Sequence, residues 1–400
     1  MDGTRAIVLA LLLCLAPLGV ISAGAMQTQQ NATMTVVPQD GSAEYLAPPA
    51  DRVERSSLGT ASIDVAGAVG ANVGQVRSTY HRVSFQRSYR EAESRSERRS
   101  IVTNGTERVG DRVDELEQKE RRAVERYSAG EIGQRELVRK LAVIDQESRT
   151  LESTVDWLET RADNLGMYET ENELALHRSR LRPLQGPVRS NAEAAISGQD
   201  DARVHVDVSA DGLVLATVEE TNGEPTYLRE AYDPSARTDE FDQQSGSGLS
   251  AAEERLRELY PWVTNNSTPT AAPIGPDGAR LWRFTYSHPQ GNLETYLDVE
   301  TDRVMLEHQY KEPDAVPTTT DETVEGDLRL VLNRTRAGGP LGVALYDDDR
   351  DEPVDATIEV DNESVGSTGG ERLWTVAPRG ETTINATYRG ETVSYEATFE

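Results

Sequence analysis

A chain of 400 residues has room for two to four domains, and 36% hydrophobic with 6% aromatic residues is lean for one large core. Asp and Glu number 69 against 41 Lys and Arg, a net charge of −28, and lysine occurs only as Lys119, Lys140 and Lys311. That balance gives no expectation of a nucleic-acid partner, and in concentrated salt the screening of exposed carboxylates removes most of their mutual repulsion.

Arg5 precedes the apolar run AIVLALLLCLAPLGVISAGA, and Ala23-Gly24-Ala25 supplies the small residues of a cleavage site. Residues 1–25 therefore read as a signal peptide, with Pro17 interrupting the run. An uncleaved anchor facing outward is the alternative, since about 20 apolar residues reach across a bilayer. Either way the membrane is met only through this segment. The sole cysteine, Cys14, lies inside it, so a cleaved chain has no thiol or disulfide chemistry. Sequons at Asn31, Asn104, Asn265, Asn266, Asn333, Asn362 and Asn385 fit a secreted or cell-surface glycoprotein.

Residues 26–58, polar and carrying Pro38, Pro48 and Pro49, read as an irregular lead-in. Residues 59–198 read as helical. A first apolar train runs Val69, Val73, Val76, Tyr80, Val83, and a second runs from Val102 to Tyr127. The clearest is Leu137, Leu141, Ile144, Ser148, Leu151, Val155, Leu158, Ala162, Leu165. Its alternating steps of four and three predict a coiled-coil seam. The turn SAGEIG, with Gly130 and Gly133, predicts a reversal between the last two trains. An antiparallel coiled-coil hairpin of about 45 Å results. Further helices are expected over 171–181 and 188–196, separated by Pro183, Gly186 and Pro187. The locally basic piece from Arg77 to Arg99 is a solvated, salt-bridged face before it is a site for acidic ligands.

Residues 200–312 read as an α+β module. The period-two pattern around Ser-Ala-Asp-Gly predicts a hairpin from Val204 to Val218, and Thr226–Tyr232 adds a strand. A hydrophilic stretch, DPSARTDEFDQQSGSG, precedes a short helix capped by Ser250 with Glu253 closing a capping box. Strands over 281–286, 293–299 and 304–310 follow. Residues 313–324 read as a linker, and 325–400 as an all-β sandwich of six or seven short strands. The fold class is thus multidomain: an N-terminal helical hairpin, a central α+β module and a C-terminal β-sandwich.

In LETYLDVETDRVM, residues Tyr296, Asp298, Thr301 and Val304 resemble the closing strand pair of a PepSY-type module, with Asp302 where that family has Gly. The resemblance implies binding or inhibition of an exported protease. The C-terminal segment resembles immunoglobulin-like and transthyretin-like modules of secreted proteins. The whole layout, acidic and poor in Lys, is similar to uncharacterised exported proteins of halophilic archaea.

No catalytic set and no cofactor is expected. His81, His177 and His205 have no second His at ligand spacing, His288 falls in a turn, and Glu307 and His308 point to opposite faces of a strand. Gly246-Ser247-Gly248 lacks the strand-to-helix elbow of a serine nucleophile. The acidic run Asp347, Asp348, Asp349, Asp351 is a calcium candidate, with a solvated loop the commoner reading. Trp282, Phe284 and Tyr286 alternate on one face and are expected in the core. The leading expectation is an exported, non-enzymatic protein meeting other envelope or exported proteins, with self-association possible through the hairpin. A protease inhibitor or chaperone, and a hydrolase with an unrecognised carboxylate pair, are the alternatives.

Overall fold

A computed structural model describes residues 34–64, 79–80, 82–199, 201–210, 212–221, 223–238, 248–276 and 281–400. The leader, Cys14, Asn31, His81, most of the first apolar train and the serine of Gly246-Ser247-Gly248 lie outside these residues.

The helical layer is built on α1 (Arg95–Ser128) and α2 (Gln134–Leu165). Ser94 starts α1 with a capping box: its Oγ accepts from the Glu97 amide, and the Glu97 carboxylate accepts from the Ser94 amide. Gly130, at φ +77°, permits the reversal, and Gly133 caps α2. Every residue of both long trains is buried, including Glu120 and Ser148. Gly105 brings the helices close: a Cβ there would stand 2.8 Å from Leu158 Cδ2. On the short helix over 82–91 the buried face is Phe85, whereas Tyr80 and Val83, expected on the seam, are exposed. Helices α3 (Tyr168–Leu181) and α4 (Pro187–Ile196) complete the layer, with Pro187 at the first turn of α4.

The described part of the lead-in, residues 34–58, is not irregular. It holds β1 (Thr35–Val37), β2 (Tyr45–Ala47) and β3 (Arg55–Ala61). The first two are three residues each, and β3 is an edge strand with little apolar content, so none shows a period-two signal. β3 pairs with β4 (Ala202–Ser209) and opens an eight-stranded antiparallel sheet. Next come β5 (Gly212–Thr221) and β6 (Glu224–Tyr232), then β10 (Arg303–Lys311), β9 (Gly291–Asp298), β8 (Leu281–His288) and β7 (Thr270–Ile274). Two meanders therefore meet at β6 and β10. Strand β7, too polar to read from its sequence, is the far edge. Gly291, at φ +135°, starts β9 where a Cβ would lie 2.0 Å from the Tyr310 carbonyl oxygen. Asp302 adopts φ +56° in the β9–β10 turn, a left-handed conformation that glycine favours. Helix α5 (Leu249–Leu259) is capped by Gly248 at φ +63° and not by Ser250, which lies inside the helix. Helix α6 (Pro261–Asn266) follows it.

The sheet is covered on both faces. On one, Val204, Val206, Val208, Leu213, Leu215 and Leu228 share a core with Tyr127, Leu137, Leu141 and Ala192 of the helical layer. On the other, Trp282, Phe284, Tyr286 and Leu297 pack with Leu46, Leu256 and Tyr260. The expected helical (59–198) and α+β (200–312) domains thus share one core.

The last segment is a β-sandwich. One sheet holds β11 (Thr319–Glu325), β12 (Leu328–Arg334), β13 (Pro340–Asp347), β14 (Glu352–Val354) and β17 (Leu373–Val376). The other holds β15 (Thr357–Val360), β16 (Glu363–Ser367), β18 (Gly380–Tyr388) and β19 (Glu391–Phe399). The expected linker 313–324 contains most of β11, an exposed edge strand whose polar sequence reads as a linker.

Because the sheet's inner face is completed by α1, α2 and α4, residues 200–312 expressed alone expose that face. Such a fragment is expected to show no cooperative thermal transition by circular dichroism, whereas residues 34–312 show one.

Candidate functional site

Two buried charge clusters lie back to back on β6. On the helical side, Arg189 of α4 is clamped between Glu120 of α1 and Glu230 of β6. Its Nη1 and Nη2 donate to the Glu120 carboxylate at 3.1 and 2.9 Å, and its Nε donates to Glu230 Oε1 at 2.7 Å. Glu230 Oε2 also accepts the Val188 amide at 3.1 Å, and Asp145 accepts the Gly186 amide at 2.9 Å. Gly186 is required for space: a Cβ there would meet Glu230 Oε2 at 1.8 Å. Burial pushes the Glu120 carboxyl up, against the pull of Arg189, and the neighbouring Glu230 adds to the rise. A pocket of about 450 Å³ opens beside this cluster, lined by Glu117, Glu120, Tyr232 and Arg237 among others. Glu120 and Glu230 are close carboxylates, but both are tied to one guanidinium, so the cluster joins three elements.

On the opposite face Arg229 donates from Nη1 to Glu307 Oε1 at 2.9 Å and from Nη2 to the Leu46 carbonyl at 2.5 Å. Glu307 also accepts from the Leu46 amide at 2.9 Å and the Tyr260 hydroxyl at 2.6 Å. Gln309 donates to the Glu44 carbonyl, and Lys311 Nζ donates to the Ala43 carbonyl at 3.3 Å. The β1–β2 ribbon is thereby held to the sheet by side chains. Burial lowers Lys311 to about 7, and the Arg336 charge contributes.

A third cluster joins the sheet to the sandwich. His205 Nε2 lies 3.0 Å from Asp207 Oδ1, and Arg379 donates to Asp207 Oδ2 at 2.8 Å. Burial alone would raise the Asp207 carboxyl, but His205 and Arg379 outweigh it and hold it well below the usual range. The Tyr227 hydroxyl donates to the Gly338 carbonyl at 2.6 Å.

The acidic run is partitioned among arginines. Asp348 accepts from Arg329 at 2.8 Å, Asp351 also pairs with Arg329, and Asp347 pairs with Arg350. Among the described residues no group of three or more His, Cys, Asp or Glu side chains could hold a metal, and no helix is long and apolar enough to cross a membrane. His288 packs edge-on against Trp262, His177 lies buried against Gly110, and His308 stands 3.7 Å from Glu294, on the face opposite Glu307. Of the sequon asparagines, Asn265, Asn266 and Asn362 are exposed, the last in the β15–β16 turn. Asn104 is exposed on α1, but Thr106 of its sequon is buried and donates to the Val102 carbonyl. Asn333 donates to Thr318 and Thr320, and Asn385 accepts from Ser394.

Sequence reasoning missed Arg189, Glu230, Arg229 and Arg379. Glu120 left a trace as a carboxylate at a seam position of its train.

Three family models match the chain. A "Domain of unknown function (DUF7096)" covers residues 1–201, a "Family of unknown function (DUF7094)" covers 204–317, and an "Archaeal fibronectin-III type-like domain" covers 319–395. No curated protein and no solved structure matches. The chain is modular and of archaeal type, with an immunoglobulin-like β domain at its C-terminal end.

Replacing Arg189 by Ala leaves two buried carboxylates unpaired and is expected to cost about 3–5 kcal/mol in urea unfolding. Replacing Glu120, Arg189 and Glu230 together by Leu, Met and Leu is expected to recover much of that loss. For Lys311, the unfolded chain keeps its proton up to about 10.5 while the folded chain releases it near 7. Stability therefore rises with pH across that window. Lys311→Met is expected to flatten the rise between about pH 7 and pH 9 and to be more stable than the parent near pH 6, read from urea midpoints.

Proposed function

The chain belongs to the DUF7096 family, and we propose that it is an exported protein of a halophilic archaeon, held at the cell surface or secreted. In this reading it acts by contact with other envelope or exported proteins and not by turnover. One observation carries the proposal: the buried charged groups clamp one layer to the next, across all three family segments. Glu120, Arg189 and Glu230 join helices to sheet, and Asp207 with Arg379 joins sheet to sandwich. Polar groups committed in this way build a preorganised surface, which suits a contact protein. The apolar leader and the sequons support the location, and the acidic, Lys-poor composition supports the halophilic source. The seams of α1 and α2 are filled within the chain, so self-association would use another face.

A second reading, an inhibitor or chaperone of an exported protease, is favoured by α5 with β8, β9 and β10 and by the left-handed Asp302 in their last turn. Because residues 200–312 share their core with the helices, the whole chain is the inhibitor to assay. A secreted host protease whose rate is unchanged by saturating chain would remove this reading.

Labelling of intact cells with a membrane-impermeant biotin reagent is expected to tag the chain; tagging only after lysis would overturn the location. In the tagged fraction, mass spectrometry is expected to find glycan at Asn362 and at Asn265 or Asn266, with Asn333 bare.

A further inference from the structure

Three cations meet at one short piece of the N-terminal ribbon. Lys311 of β10 donates from Nζ to the Ala43 carbonyl at 3.3 Å, and Arg229 of β6 donates to the Leu46 carbonyl. Between those carbonyls stands Tyr45, whose ring centroid lies 3.5 Å from the Arg336 guanidinium and 5.2 Å from that of Arg229. Arg336 belongs to the loop between β12 and β13, and the Gly338 carbonyl of that loop accepts the Tyr227 hydroxyl. Tyr227 is the cross-strand partner of Lys311, so the loop is held over the lysine. Burial, and after it the Arg336 charge, lowers both Lys311 and Arg229, as expected of like charges held close.

The carboxylates beside them are committed. Glu307 accepts from Arg229, Gln309, Tyr260 and the Leu46 amide. Glu44 accepts the Trp262 and Val263 amides at the start of α6. Among the described residues neither Lys311 nor Arg336 pairs with a carboxylate; each donates only to a carbonyl, Lys311 to Ala43 and Arg336 to Ala337. Arg229 Nε is buried with no acceptor. Arginine and lysine side chains offer donors and no acceptors, so these groups want an acceptor that carries negative charge. A water joining Arg229 Nε to the buried, unpartnered Gln309 Oε1 would supply the hydrogen bond and leave the charge. Lys311 is able to discharge, near pH 7, but the guanidiniums are not. Arg229 and Lys311 are 1% and 2% exposed, so the partner must be small, with half-buried Arg336 at its entrance.

We propose that Arg229, Lys311 and Arg336 bind a chloride ion under the β12–β13 loop. The inference goes beyond the contact role above and is independent of it. The charged and titratable groups facing Lys311 are Arg229, Arg336 and His288, with Glu307 and Glu44 opposing them. An anion beside Lys311 favours its protonated form and draws its folded value back toward the unfolded 10.5. The gain in stability with rising pH described above is therefore that of the anion-free chain, and it is expected to shrink as chloride is added.

The test melts the whole chain at pH 6 and fixed ionic strength while potassium chloride replaces potassium gluconate, whose anion is too large to enter. A saturable rise in melting temperature is expected on top of any linear drift. Arg336→Gln is expected to raise the half-saturating chloride concentration about tenfold, Arg336→Lys to hold it within about threefold, and Lys311→Met to abolish the saturable part. Crystals soaked in potassium bromide are expected to show an anomalous peak beside Lys311 Nζ and Arg336. A purely linear response to chloride overturns the proposal, as does a saturable one that Lys311→Met and Arg336→Gln both leave unchanged, or bromide found only elsewhere.

Discussion

Adjacent residues of a strand point to opposite faces, and in β6 that alternation places Arg229 on one side of the sheet and Glu230 on the other. Each is buried, and each is the hub of a different cluster. Glu230 reaches Arg189 and through it Glu120, so the helical layer is joined to the sheet by charge as well as by apolar contact. Arg229 reaches Glu307 and the backbone of Leu46, so the N-terminal ribbon is fastened to the opposite face. A one-residue slip of β6 would send Arg229 to the face that holds Arg189 and Glu230 to the face that holds Glu307, setting like charge towards like. Register, layer order and the placement of three segments therefore depend on one dipeptide.

Buried ion pairs are weak contributors to net stability, because desolvation offsets most of their attraction. Their effect here is on choice among arrangements. An apolar helix face can slide over an apolar sheet at small cost; a face carrying Arg189 docks only where two carboxylates await it. The Gly186 position shows how tight that docking is, since even a methyl group would collide with Glu230. Asp207 and Arg379 repeat the device between sheet and sandwich, with His205 fully buried beside them.

The helical layer was legible because a 4-3 repeat survives every local accident: all nine positions from Leu137 to Leu165 are buried. The hairpins β4–β5 and β8–β9 were legible from period two and turn residues. The edge strands β3, β7 and β11 were not, since an edge exposed to water needs no apolar alternation. The start of α5 misled because Ser250 and Glu253 have capping-box spacing, whereas a left-handed Gly248 begins the helix two residues earlier than Ser250 allows. The clusters themselves were hidden for a different reason. Glu120, Arg189, Glu230 and Arg229 lie on separate elements, and an Arg or Glu that finds its partner only in the fold looks in sequence like any solvated charge.

The contact between ribbon and sandwich changes how the chain would respond to tension. Arg336, in the loop between β12 and β13, stacks over the Tyr45 ring at 3.5 Å, and the Ala337 amide donates to the carbonyl of Glu400. One loop of the sandwich thus touches both β2 and the last residue, Glu400, although about 350 residues separate these in sequence. A pull applied between Tyr45 and Glu400 would load that bridge together with the hydrogen bonds from Arg229, Gln309 and Lys311 that fasten the ribbon to the central sheet. Parting the ribbon from the sandwich would therefore leave it still anchored on the sheet, so the two attachments would yield in separate steps.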